Sequence, residues 1–187
     1  MAYDVLAESV ALIEAGRADL VPRLSRRRRF AAMAFDMTGD VAATMFARRG
    51  VGRVWKEIHV LALRDGEWTW LGSGGSDGDQ DLLADRPAVL ASLLGFGSEA
   101  GADLRVMTVS EQGGVSGGGN GTSRRKSTSW ISYAELRVTA QVTSVQIAER
   151  RLVVPWHGRV VVVWPERQPQ RVVALDADGR SLAEIRL

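Results

Sequence analysis

The 187-residue chain contains no cysteine, which excludes disulfide bridges, thiol nucleophiles and metal centres with cysteine ligands. It has only two lysines, Lys56 and Lys126, so arginine carries nearly all of the positive charge. The formal net charge of +2 is too small to mark the whole chain as a nucleic-acid-binding protein. Only local arginine clusters could support that function.

Long apolar segments are also absent. No apolar run approaches the ~20 residues that span a bilayer. The N-terminal segment carries Asp4, Glu8 and Glu14 instead of the leading positive charge of a signal peptide. The sequence therefore predicts a cytoplasmic protein with no membrane partner. Its hydrophobic fraction of 45% is that of an ordinary globular domain.

Hydrophobic periodicity in the first half of the chain predicts a helix, a β-meander and a second helix. The first helix is expected between Asp4 and Ala15, followed by a stop at Gly16. Asp65-Gly66 lies between two apolar runs and has the sequence of a type I′ hairpin turn. The apolar positions between Leu82 and Leu94 are spaced as one face of the second helix.

From Trp130 onward the pattern is that of β-structure. Alternation between Ala134 and Thr143 predicts a half-exposed strand with Glu135 on its polar face. The stretch RLVVPWHGRVVVVW, from Arg151 to Trp164, predicts two paired strands joined by a turn, with His157 as an ordinary turn residue.

These elements predict an α+β fold: an N-terminal helix, an antiparallel β-meander and a helix, followed by an antiparallel β-sheet or sandwich in the C-terminal half. The helix–meander–helix region covers residues 1–111, a mobile Gly/Ser/Arg loop covers 112–129, and the antiparallel β region covers 130–187. One continuous domain is the alternative, in which the loop is the tip of a hairpin that pairs 104–109 with 130–138.

The hairpin around Asp65-Gly66 carries a candidate ligand site on one face. A carboxylate two residues from an imidazole lies on the same side of a strand and can orient a proton-transfer group. Indole faces can hold an apolar or planar ligand by stacking. The alternative is that the tryptophans and the histidine belong to the core. The residues of this face are Trp55, Glu57, His59, Trp68 and Trp70.

Two basic clusters are candidate sites for an anion or an acidic partner. Such clusters can follow a phosphate backbone, in which case binding weakens steeply with salt, or they can contact an acidic protein surface. A solvated, arginine-rich surface is the alternative interpretation. The first cluster is Arg26, Arg27, Arg28 and Arg29, and the second is Arg124, Arg125 and Lys126.

Motifs for phosphate-binding loops, dinucleotide binding, calcium loops and nucleophile elbows are missing or incomplete. The glycine-rich segment at 113–121 contains no Gly-Lys-Ser/Thr and leads into a strand, not a helix. The run Asp77–Asp81 lacks the glycine and glutamate that an EF-hand needs at its sixth and twelfth positions. The sequence predicts no catalytic residue, metal ligand or cofactor.

The sequence therefore favours a non-catalytic protein-binding or assembly module that offers β-sheet edges and arginine-rich loops to a protein partner, including a second copy of itself. The first alternative is a small-molecule-binding protein or modest enzyme with a Trp/Glu/His pocket. The second alternative, less favoured, is binding of nucleic acid or another polyanion through the arginine clusters.

Overall fold

The computed structural model describes residues 3–78, 82–90, 106–116, 130–165 and 167–187. Its helix is α1, Val5–Ala15. The first four strands are β1 (Phe30–Thr38), β2 (Val41–Arg49), β3 (Val54–Arg64) and β4 (Glu67–Gly78). The remaining strands are β5 (Met107–Ser116), β6 (Trp130–Val138), β7 (Ser144–Ile147), β8 (Arg150–Val153), β9 (Arg159–Pro165), β10 (Arg171–Leu175) and β11 (Ser181–Arg186).

The strands form three antiparallel sheets. The first sheet is the meander β1-β2-β3-β4, the second has the order β5-β6-β9, and the third has the order β11-β10-β7-β8. A β-rich α+β fold is thus confirmed. Within the described ranges, no helix is long and apolar enough to cross a membrane.

The β3–β4 hairpin forms as predicted. Arg64 pairs with Glu67, Leu63 with Trp68, and Leu61 with Trp70. Asp65 and Gly66 both have positive φ, 51° and 84°, as a type I′ turn requires.

The second sheet is packed on both of its faces, because β6 and β9 alternate between two apolar cores. Leu136 and Val162 belong to the core shared with the third sheet. Ile131, Val161 and Val163 belong to the core shared with the first sheet. A strand that is apolar on both faces, as β9 is, fits this central position.

Helix α1 lies on the opposite face of the first sheet. The Asp4 side chain caps its start by accepting the N–H groups of Leu6 and Ala7, and Gly16 ends it with a φ of 66°. Ser9 and Leu12 are its buried residues, and the Ser9 hydroxyl lies 2.8 Å from the hydroxyl of Thr44 on β2. The predicted helix is therefore confirmed.

Two predictions about the elements are wrong. Residues 82–90 form turns and bends instead of the beginning of a second helix, and the rest of that predicted helix lies outside the described residues. The segments β8 and β9 do not pair with each other, since β8 pairs with β7 and β9 pairs with β6. The chain changes sheet at residues 154–158, which the local sequence cannot distinguish from a hairpin turn.

Strand β5 overlaps the first part of the predicted Gly/Ser/Arg loop. Strand β5 extends to Ser116, five residues into the segment 112–129. It pairs with β6 from Met107 opposite Val138 to Ser116 opposite Trp130. Residues 117–129 lie outside the described part of the chain.

Candidate functional site

The β3–β4 hairpin brings three of the five predicted site residues together. Glu57, His59 and Trp70 line a cleft of about 580 Å³ between the hairpin and the first turn of α1. The other two lie apart from this cleft. The Arg53 guanidinium lies over Trp55, with its carbon 5.1 Å from the centroid of the Trp55 ring. Trp68 is at the hairpin tip.

Two further residues complete the polar end of the cleft. The Tyr3 hydroxyl is 3.2 Å from His59 Nε2, and the Glu57 carboxylate is 3.7 Å from the same nitrogen. Arg48 on β2 donates to Glu57 Oε1 from Nε at 2.5 Å. Its guanidinium also lies over the Tyr3 ring, 5.9 Å from the centroid. No local sequence pattern indicated Tyr3 or Arg48, because they reach the hairpin only through the fold.

The Tyr3 and His59 side chains in the cleft are held in their neutral forms. Burial, followed by the nearby Glu57 carboxylate, raises the pKa of Tyr3 above its usual range. Burial lowers the pKa of His59, which outweighs the opposing attraction of Glu57. Because Arg48 balances the charge of Glu57, these groups form a neutral hydrogen-bonding end with no strong base or nucleophile.

One atom beneath the cleft has no partner. His59 is 3% exposed, and its Nδ1 makes no hydrogen bond with the described residues. The ring packs against Phe46, with centroids 5.9 Å apart. The histidine is therefore largely a buried residue, and its hydrogen bonds are those of Nε2.

The first arginine cluster lines a larger groove between α1, the beginning of β1 and the end of β2. This arginine groove has a volume of about 1070 Å³. Seven arginines and two carboxylates line it, a local balance of +5 in a chain whose net charge is +2. The arginines are Arg17, Arg26, Arg27, Arg28, Arg29, Arg48 and Arg49, and the carboxylates are Glu8 and Asp19.

Short-range hydrogen bonds position the arginine loop. The Ser25 hydroxyl accepts the Arg28 N–H at 3.0 Å, and the Ser25 N–H donates to the Arg28 carbonyl at 2.9 Å. The Arg29 carbonyl then accepts the Arg49 N–H at 2.7 Å, which fixes the loop to β2. The cluster is thus built into the fold next to the first residues of β1.

The guanidinium groups of this loop are available to a ligand. Arg26–Arg29 are exposed, and their side chains make no ion pair or hydrogen bond with the part of the chain that the structure describes. Arg48 differs, because it is paired with Glu57. Like charges that face a concave surface raise the local positive potential, which attracts anions. The second predicted cluster, at 124–126, lies outside the described residues.

A buried ion cluster between the first two sheets was missed by the sequence analysis. Glu135 is fully buried and pairs with Lys56 at one oxygen and with Arg159 at the other, the latter at 2.7 Å. Lys56 also lies 2.9 Å from Glu111. The prediction that Glu135 faces solvent is wrong, because the first sheet covers that face of β6. The only sequence signal was a lysine on the otherwise apolar face of β3.

Metal-binding groups of three or more His, Asp or Glu side chains do not occur among the described residues. Comparisons with protein-family models, with curated proteins and with solved structures found no match to this chain.

Proposed function

We propose that this protein is a binding module whose arginine groove takes an acidic, extended segment of a protein partner. The observation that carries the proposal is the gathering of seven arginines around one groove, with the exposed side chains of Arg26–Arg29 free of partners among the described residues. The planar guanidinium group matches a carboxylate with two parallel hydrogen bonds.

An edge strand beside the arginines favours a polypeptide ligand. Strand β1 is at the edge of the first sheet, and its first residues Phe30, Ala31 and Ala32 line the groove. Only this part of the edge is offered to a ligand, because the Met33 and Met37 carbonyls farther along already accept from His157 and Arg150. An extended peptide can add to such an edge through main-chain hydrogen bonds, while its side chains give specificity. Alternate acidic side chains of the peptide would then face the arginines.

The aromatic residues favour a polypeptide over a nucleic acid. Binding of single strands uses aromatic rings on which bases stack. Phe30 and Tyr3 instead pack against each other, with centroids 4.8 Å apart.

The free edge of β9 does not compete for the same partner. The Val163 N–H donates to the buried Asp36 carboxylate at 2.8 Å, and the Val163 carbonyl accepts from Arg150 at 2.8 Å. Side chains therefore occupy both main-chain groups of Val163, which interrupts this edge as a template for a peptide strand. We propose that the C-terminal half is the predicted β-sandwich, because its two sheets share one apolar core.

A ten-residue peptide of alternating glutamate and threonine, with a fluorescent label, tests the proposal. The wild-type protein should bind it at low salt and release it as salt rises. Replacing Arg26–Arg29 by glutamine should weaken binding about thirtyfold, since exposed charge pairs contribute roughly 0.5 kcal/mol each. A matched control removes four exposed arginines elsewhere and should bind normally: Arg151, Arg171, Arg180 and Arg186.

Competing ligands decide the chemical class. A peptide in which glutamine replaces every glutamate should not bind, and ten thymidine nucleotides should bind less tightly than the acidic peptide. Equal loss of binding in the control variant, or tighter binding of the oligonucleotide, would refute the proposal.

A further inference from the structure

The cleft beside α1 has the size and lining of a small-molecule site. Its volume of about 580 Å³ lies within the range of roughly 300–1,000 Å³ that such sites occupy. Leu6 and Trp70 line it and remain 38% and 47% exposed. Large apolar side chains that face a concave surface lose unfavourable contact with water when a ligand covers them.

The polar end of the cleft selects against charge. Glu57 is already paired with Arg48, and the Asp4 carboxylate already accepts two N–H groups of α1, so a cationic ligand finds no unpartnered carboxylate in the cleft. An anionic ligand would be repelled by Asp4, which no arginine of the cleft is paired with. The groups that remain are the Tyr3 hydroxyl and His59 Nε2, which lie 3.2 Å apart.

We propose that this cleft binds a small, planar, uncharged molecule that stacks on Trp70 and forms a hydrogen bond with the Tyr3–His59 pair. Trp70 provides a flat apolar surface, and Val5 and Leu6 add apolar lining from the first turn of α1. The polar pair at one end orients the molecule through a donor or acceptor on its ring. The cleft and the arginine groove share Tyr3 and Arg48 in their linings, but the proposed ligand contacts neither Arg26–Arg29 nor β1.

Three probes that share one ring system test the proposal. Indole is uncharged, tryptamine is a cation and indole-3-acetate is an anion, so the three differ in charge while all carry an indole ring. Each is titrated into the ¹⁵N-labelled full-length chain, and the indole N–H signals of its six tryptophans are followed. Indole should shift the Trp70 signal and leave the Trp68 signal in place. It should bind ~10-fold more tightly than either charged probe, because a charge loses hydration in the cleft.

Variants locate the site. Trp70→Ala should weaken indole binding at least ~10-fold, because the stacking wall is lost. Trp68→Ala is the matched control on the same strand and should bind normally. Tyr3→Phe keeps the ring and removes the hydroxyl, and should weaken binding by about threefold to tenfold.

Folding of each variant is checked by thermal unfolding, and Trp70→Phe keeps an aromatic wall if Trp70→Ala is unstable. Retained binding in Trp70→Phe supports the site. The proposal is overturned if no probe shifts the Trp70 signal at millimolar concentration, if a charged probe binds most tightly, or if Trp68→Ala loses binding as much as Trp70→Ala.

Discussion

Acidification should destabilise the protein through one buried histidine. His157 is 3% exposed, and its Nδ1 accepts the Arg159 N–H at 3.1 Å. Its Nε2 must then carry the proton and donate to the Met33 carbonyl, also at 3.1 Å. The neutral ring therefore satisfies both partners. A second proton, on Nδ1, would face the Arg159 N–H and break that hydrogen bond.

The size of the effect follows from the pKa of His157. Burial, the largest cause, lowers this pKa from 6.5 to about 4. Between these values the unfolded chain binds the proton more readily than the folded chain, so stability is fully present above pH 6.5 and falls as the pH drops toward 4. At 1.36 kcal/mol per pKa unit, the loss is about 3 kcal/mol. Domains are commonly stable by only ~5–15 kcal/mol, so this loss is large.

Urea unfolding at several pH values between 7.5 and 4.5 measures this loss. His157→Gln has no titrating ring, and other groups such as His59 titrate in both proteins and cancel in the difference. The variant should be less stable than the wild type at pH 7.5, because the buried Arg159 N–H loses its acceptor. The difference in the free energy of unfolding between the wild type and the variant should shrink by about 2–3 kcal/mol toward pH 4.5. A difference that does not change with pH, or a measured His157 pKa near 6.5, would refute this reasoning.

Two further substitutions test the packing between the sheets. Glu135→Ala should lower the free energy of unfolding by about 3–5 kcal/mol, because it removes the buried carboxylate that Lys56 and Arg159 share and leaves Lys56 with Glu111 alone as its acidic partner. Chemical denaturation measures this loss. Glu184→Gln, the control, breaks an exposed ion pair with Arg171 and should leave the unfolding midpoint unchanged. Equal losses of stability in the two variants would contradict the account. Gly74→Ala should cost about 1–3 kcal/mol, because its Cβ would lie 2.1 Å from the Tyr133 hydroxyl. A Gly74→Ala protein as stable as the wild type in the same assay would contradict this, because it would show that the Tyr133 side chain on β6 can move away from β4 without cost.

The sequence predicted the elements whose signal is local. The type I′ turn at Asp65-Gly66 determines the register of its hairpin, and the N-terminal helix has a cap and a glycine stop. The prediction that the two strands around 151–164 pair with each other was wrong, because the turn between them connects two different sheets. The prediction of a second helix was wrong over 82–90, where it rested on apolar spacing alone.

The candidate sites were predicted only in part, because local patterns indicate which residues share a strand face but not which elements pack together. The period of a strand places Glu57, His59 and Trp70 on one face, but the distance along the strands separates Trp55 and Trp68 from them. The contributions of Tyr3 and Arg48 depend on tertiary packing, which no local pattern encodes. The polar face of β6 was predicted to be exposed because alternation cannot distinguish water from a second sheet with buried counter-ions.

The central claim is that an acidic extended segment binds in the arginine groove against the edge of β1. Amide hydrogen exchange of the full-length chain, with and without a saturating amount of the glutamate–threonine peptide, tests it most directly. The account predicts slower exchange in residues 26–32 and unchanged exchange in β10 and β11. Protection confined to another part of the chain, or none at saturation, would contradict it.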